Sequence, residues 1–461
     1  MAGDLNKSTL LTKDKSQMPH GIPYIIGNEL AERFSYYGMR AILVVFMTTY
    51  LLDSNGNKDV MTDEESKVWY HLFSSANYLL PIIGAVLADA LWGKYRTIIA
   101  LSIVYCFGHL ALAVDDTRLG LSLGLTMIAI GSGGIKPCVS ALVGDQFTKD
   151  NNHLLAKVFN LFYLAINIGA AISMLLTPYL LRKYSASIAF GLPGILMIIA
   201  TLIFWLGKNK YTTPPPVGFK KYFEKFKDKE VLQAISSLLV IYFFMAIFWS
   251  LYEQTPSSWV IQAKSSLIDK HIDLNLGLFE FESLRFEILP DQLQFINSIF
   301  VIIFVPFFSF LLYPLISKFF PLNPLRKMSI GFFVLAISFV IIALIEAKIR
   351  NGVSVSILWQ ALAFAVLTAA EVLVYGTGLE FSYTQAPDSM KSFIMGLFLL
   401  SISAGNLITA AINYIIQNED GTSKLAGASY YWFFVIMMVV TAFIFIFAAK
   451  KYKMKIYIQG E

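Results

Sequence analysis

Residues 23–52 read PYIIGNELAERFSYYGMRAILVVFMTTYLL, an apolar stretch long enough to cross a bilayer that nevertheless carries Glu29, Glu32, Arg33 and Arg40. An isolated charge at mid-bilayer costs about 2.5–3.5 kcal/mol, so four of them facing lipid would oppose insertion. They have to face inward and find partners. With about 100° per residue, Glu29, Glu32, Arg33, Tyr36, Tyr37 and Arg40 share an arc of roughly 140°. Ile42, Leu43, Val45 and Phe46 are left toward apolar surroundings. The pattern is that of a membrane helix lining a polar interior.

The rest of the chain reads the same way. Of 461 residues 56% are hydrophobic and 15% charged, with 38 Phe, and mean hydropathy is +0.63; a soluble chain of this size carries more charge. The first 22 residues are polar, with Lys7, Lys13 and Lys15 and no apolar core, so the sequence predicts no cleaved signal and a cytoplasmic start. Cys106 and Cys138 fall inside expected spans and are expected to be free. The net charge of +5 fits loops beside anionic lipid and does not call for nucleic acid.

Long apolar runs predict twelve helices, at 23–52, 67–90, 97–114, 119–144, 156–181, 185–206, 232–262, 292–317, 325–347, 354–383, 391–417 and 428–449. An even count with an inside start puts both termini in the cytoplasm, and a roughly two-to-one excess of Lys and Arg on the assigned inner side agrees. The fold class predicted is an all-α membrane protein of two six-helix bundles: residues 1–207, a cytoplasmic linker 208–231, and residues 232–461. The linker carries Pro214, Pro215 and Pro216 and then a Lys-rich amphipathic stretch from Phe219 to Phe226, suited to a membrane surface. Paired halves with polar residues at the midplane are how alternating-access transporters are built.

Further intramembrane polar residues are His71, Tyr78, Lys136, Asn167, Glu253, Asn297 and Glu371, which converge only if the helices surround one cavity. His71 and Tyr78, seven residues apart, share a helix face. His71 is either a proton acceptor, with an ordinary pKa near 6.5, or a hydrogen-bonded structural histidine. Lys136 follows Gly131, Ser132, Gly133 and Gly134, small residues that permit close helix packing, and precedes Pro137, which bends the helix. This run is not a phosphate loop, since it lies in an apolar span and lacks the Gly-Lys-Ser/Thr ending. As a buried cation Lys136 calls for a carboxylate, with Glu29 or Glu32 the expected partner, in a pair that is either structural or a switch. Glu371 and Glu253 in one half, against Arg40 and Lys136 in the other, form poles suited to a small zwitterion, with Tyr36, Tyr37 and Tyr78 as amphipathic walls.

The string Glu29-Leu-Ala-Glu32-Arg33-Phe34-Ser35-Tyr36-Tyr37-Gly38 resembles the opening motif of the proton-coupled oligopeptide transporters, a branch of the major facilitator superfamily. The resemblance continues through Gly84 to Asp89, Gly93-Lys94-Tyr95-Arg96-Thr97, Gly133-Gly134-Ile135-Lys136-Pro137, Gly144-Asp145-Gln146-Phe147, Phe162 to Asn167, Phe248-Trp249 and Glu253-Gln254, nearly the whole chain. His71 with Tyr78, and Thr377 to Tyr383 through Ala386-Pro387, are closer to the animal branch. The resemblance implies import of di- and tripeptides driven by protons, with no other cofactor, by a protein that works as a monomer in the cell membrane. It implies that Glu371 holds the peptide amino terminus and that Arg40 and Lys136 face its carboxylate. Asn167 and Asn297 contact the peptide, and Tyr36 and Tyr78 line the site. Glu29, Glu32 and Arg33 couple protons with Lys136, His71 is a second proton candidate, and Glu253 gates with Arg40.

Departures from the pattern are Thr255-Pro256 in place of Gly-Ser, Ser298 after Asn297 where proline is common, and Tyr375-Gly376 in place of Ser-Pro. They bear on gate flexibility and side-chain preference. Residues 207–231 are too short for the two extra helices of many bacterial relatives, and 348–353 leave no room for the large outer domain of animal ones. A compact form in a prokaryotic inner membrane is expected. The rival readings are a carrier of another anion such as nitrate, a membrane-embedded enzyme, and a nontransporting peptide sensor. Against the enzyme stand the chain's five histidines, which show no metal spacing.

Overall fold

The computed structural model describes residues 18–148, 151, 154–274, 284–385, 391–419 and 422–452. The expected all-α membrane architecture is present. The first half runs α1 (Ile22–Thr49), α2 (Asp63–Val86), α3 (Lys94–Val114), α4 (Arg118–Asp145), α5 (Leu155–Lys183) and α6 (Ala186–Leu206). A short α7 (Phe219–Glu224) lies in the connecting segment, where the amphipathic stretch is expected. The second half runs α8 (Lys229–Tyr252), α9 (Ser258–Ala263), α10 (Gln294–Phe307), α11 (Tyr313–Ser317), α12 (Pro324–Arg350), α13 (Leu358–Glu371), α14 (Thr377–Thr384), α15 (Lys391–Ile416) and α16 (Ala428–Lys451). Eleven helical segments among the described residues are long and apolar enough to span. The twelfth, α1, has the length, but its charges lower its hydropathy.

Two large apolar cores form, one of residues from Ile22 to Phe204 joined by Val260, the other of residues from Val231 to Phe445, with a small third cluster of Ala41, Ala170 and Met174. Small residues let the helices of the first approach closely. A Cβ at Gly84 would lie 2.1 Å from the Gly134 carbonyl oxygen, so α2 and α4 cross in backbone contact. Gly38 does the same for α1 against Thr177 of α5, whose hydroxyl donates to the Gly38 carbonyl at 2.9 Å. Cys106 and Cys138 are free, as expected.

Four spans depart from the sequence expectation. The span at 232–262 is broken into α8 and α9 by the turn Glu253–Ser257, where Pro256 cannot donate to Tyr252 and its ring crowds that carbonyl. The span at 67–90 begins earlier, at Asp63, capped by Thr62 accepting from the Glu65 amide, and closes in a π-helical turn, Leu87–Trp92. Similar π turns at Phe308–Leu312 and Val372–Gly376 interrupt the spans at 292–317 and 354–383, and Val355–Ser356 is a short strand rather than helix. A hairpin pairs His271–Leu274 with Leu284–Glu287, a period-two stretch easily read as loop.

Candidate functional site

The polar face of α1 is buried, as its charges require: relative exposure is 5% for Glu29, 1% for Glu32, 8% for Arg33 and 7% for Arg40. Arg33 gathers both carboxylates, its Nε 3.0 Å from Glu29 and 2.5 Å from Glu32. About one turn further, Tyr36 accepts a hydrogen bond from the Asn77 amide at 2.7 Å.

Lys136 does not meet the carboxylate expected for it. Among the described residues it makes no ion pair; its ammonium rests on the faces of Tyr36 and Tyr78, 4.2 and 4.8 Å from the ring centroids. Arg33 has taken Glu29 and Glu32, and two aromatic faces supply the lysine's counter-field instead. Glu29 and Lys136 nonetheless remain within electrostatic reach.

In the second half, Glu371 accepts from the Asn297 amide at 2.8 Å, and the same amide donates to Thr368 at 3.0 Å. Tyr252 also contacts Glu371. Glu371 is the last residue of α13, directly before the π turn, as Lys136 directly precedes Pro137. Asn167 turns its amide onto the Tyr163 carbonyl of its own helix at 2.8 Å. The structure thus brings Tyr36, Tyr78 and Lys136 into one cluster and Asn297 and Glu371 into another, and leaves Asn167 bonded within α5.

At the end where α1 finishes and α2 begins, the two halves are tied together. Arg40 pairs with Glu253 and donates to Tyr70. His71, fully buried, spans to the other half through both ring nitrogens, Nδ1 to Asn406 at 2.8 Å and Nε2 to Ser257 at 3.0 Å. The Asn406 amide nitrogen already donates to the Ile402 carbonyl, so its oxygen faces His71 and Nδ1 carries a proton; the Ser257 hydroxyl lies 3.0 Å from Nε2 and 3.3 Å from the Gln254 carbonyl and donates to one of the two. Ser75 and Ser403 meet at 2.8 Å, and Lys264 donates to Thr48 at 2.8 Å. Lys264, half buried, is held below the ordinary lysine range chiefly by desolvation.

The seam's rim adds a pair that the sequence reading did not single out. Arg182 at the end of α5 grips Asp291 with both guanidinium ends, at 2.8 and 3.3 Å, and Gln292 donates to the Leu175 carbonyl at 2.9 Å. Burial pushes the Asp291 carboxyl up against the opposing pull of Arg182. The arginine is 28% exposed, so water moderates the loss if the pair is cut. A double-mutant cycle of Arg182→Ala and Asp291→Ala in detergent is expected to give a coupling energy of about 1–2 kcal/mol; additive effects would mean that the contact carries no energy.

Tyr70, Asn77, Ser257, Thr368 and Asn406 also escaped the sequence reading. Each is an uncharged polar residue in an apolar span and becomes visible only as the partner of a polar side chain elsewhere in the fold. The one available signal was Pro256, which marks the turn that carries Ser257.

The sequence model of the POT family matches residues 95–227 and 217–433. Solute carrier family 15 member 2 of Homo sapiens is 35% identical over 82% of this chain and 56% of its own length. Peptide transporter family 1 of Drosophila melanogaster is 35% identical over 72% of this chain and 48% of its own. The chain thus spans about half the length of the curated relatives it matches. Among solved structures, a POT family transporter crystallised in meso superposes with a TM-score of 0.83 at 31% identity, covering 95% of this chain and 99% of that one. An auto-inhibited POT family peptide transporter gives 0.82, also at 31% identity, over 96% and 99%.

Proposed function

Because the chain belongs to the POT family, we propose that it is a proton-coupled symporter that imports di- and tripeptides by alternating access. Its membership of a family of transporters removes the membrane-enzyme alternative. The observation that carries the substrate class is the pair of poles: Lys136 with Tyr36 and Tyr78 on one side, Glu371 with Asn297 on the other. A free peptide presents a carboxylate to the first and an ammonium to the second. Arg40 and Asn167 complete the substrate contacts in this reading.

Proton coupling falls to Glu29, Glu32, Arg33 and His71. A proton on Glu29 or Glu32 weakens its hold on Arg33 and alters the field at Lys136, so proton and peptide binding are linked through shared charges. His71 suits a second proton, since the Ser257 hydroxyl can rotate from donor to acceptor when Nε2 is protonated. Arg40 and Glu253 gate the closed end. Residues 1–207 and 232–461 act as the two rocking bundles, joined by 208–231, with both termini cytoplasmic, in a monomer in a prokaryotic inner membrane.

Uptake of a labelled dipeptide into proteoliposomes, with and without an inward proton gradient, tests the reading. Gradient-dependent accumulation competed by unlabelled peptides supports it; saturable binding without accumulation in sealed vesicles points to a sensor. Replacing Glu371 by Gln removes a charge from the ammonium pole, worth about 1.5–3 kcal/mol for a hydrogen bond to a charged group. Competition by free dipeptides is expected to weaken about 10- to 100-fold, while N-acetylated dipeptides lose little. Equal loss for both would move the amino terminus elsewhere.

A further inference from the structure

Five residues into α2, at the end where the two halves meet, sits a cation that the ties described above do not include. Lys67 is buried, one turn before His71 on the same helix face, and its ammonium is 2.9 Å from Glu64 of its own helix. The same ammonium lies over the ring of Tyr430, 4.5 Å from the centroid. Tyr430 is the third residue of α16 and is buried too, so this contact joins the first half to the second.

Each partner is held by its own half. The Tyr430 ring packs against Tyr431 and Phe434, with centroids 5.3 and 5.0 Å away, and Asn413 of α15 and Ser258 of α9 lie against its hydroxyl. With the hydroxyl engaged there, the ring presents its π face to Lys67. Glu64, three residues before the lysine, balances its charge without leaving α2. Among the described residues Lys67 makes no ion pair with the second half, and the ring is what meets it across the seam. A cation on an aromatic face gains most where water is excluded and much less where the site is exposed. We propose that Lys67 and Tyr430 form a cation–π latch between the halves, separate from the Arg40–Glu253 pair and the His71 bonds, that favours closure of this end and lets go as it wets. The proposal rests on the alternating-access cycle proposed above. Lys67 holds neither peptide nor transported proton in it; it is a positioning residue that sets α2 against α16.

Val260 of α9 is buried in the apolar core of the first half, so a single cysteine placed there, with Cys106 and Cys138 replaced, reports opening of the seam to a hydrophilic thiol reagent. Lys67→Met and Tyr430→Leu are each expected to raise the labelling rate about 5- to 30-fold. Tyr430→Phe keeps the π face and is expected to stay near the parent rate. The two losses made together are expected to do no more than either alone. Unchanged rates in Lys67→Met and Tyr430→Leu, additive effects, or a Tyr430→Phe rate as high as that of Tyr430→Leu would each overturn the latch. Fluorinated phenylalanines at position 430 give a second test that spares the packing. The rate should climb stepwise with each added fluorine as the ring face loses its negative charge, and a flat series also overturns the latch. Labelling needs neither peptide nor gradient. A parent protein labelled as fast as a free thiol never closes this end, which sinks the alternating-access reading and the latch together; a slowly labelled parent with unresponsive variants sinks the latch alone.

Discussion

Replacement of Lys136 by Ala is expected to abolish gradient-driven accumulation of dipeptide. The ammonium sits between Tyr36 and Tyr78 with no carboxylate of its own, which leaves it available to an incoming peptide carboxylate. A charge-assisted contact of that kind contributes about 1.5–3 kcal/mol, so dipeptide affinity should fall about 10- to 100-fold. Lys136→Arg separates charge from switching. Arginine keeps the cation but not the compact ammonium seated on the two ring faces within the field of Glu29, so binding should survive while driven uptake collapses. Normal driven uptake by the alanine variant would end the role proposed for this residue.

The second large effect belongs to the seam. Replacing Glu253 by Ala leaves the Arg40 guanidinium buried, with the Tyr70 hydroxyl as its remaining polar contact among the described residues. Breaking a buried pair from one side costs about 3–5 kcal/mol, enough to shift a population from closed to open by two orders of magnitude or more. The check is labelling of a single cysteine placed at Ser257, in a background with Cys106 and Cys138 replaced, by a membrane-impermeant thiol reagent. The rate should rise in the Glu253 variant and fall back toward the parent value when the charges are exchanged, Arg40→Glu with Glu253→Arg. An unchanged rate would mean that Arg40 and Glu253 do not hold that end shut.

Much of this molecule is legible in its sequence because lipid is a demanding solvent. The polar arc of α1 had to turn inward, and it does; glycines around Lys136 had to mark a helix crossing, and Gly134 lies against Gly84. What escaped was pairing across helices. The expected Lys136 carboxylate went to Arg33, an outcome decided by side-chain reach that spacing does not encode. His71 was read as either proton acceptor or structural residue, and its two bonds to the opposite half show why periodicity could not choose: Asn406 is 335 positions away. The π turn at Val372–Gly376 has no proline to mark it in an apolar run, whereas Pro314 frees the Phe310 carbonyl in the one at Phe308–Leu312.

The break between α8 and α9 places Glu253 and Ser257 on one short turn, and through them Arg40 and His71 are tied to the same piece of backbone. A carrier that exposes both mouths at once is a pore, and it squanders the gradient that drives it. With both ties moored to a single turn, slipping one mooring drags the other, so partly released states are sparsely populated. In the proposed symport cycle the kink at Pro256 thus serves as insulation: it keeps that mouth either shut or fully open, and protons from short-circuiting the cycle.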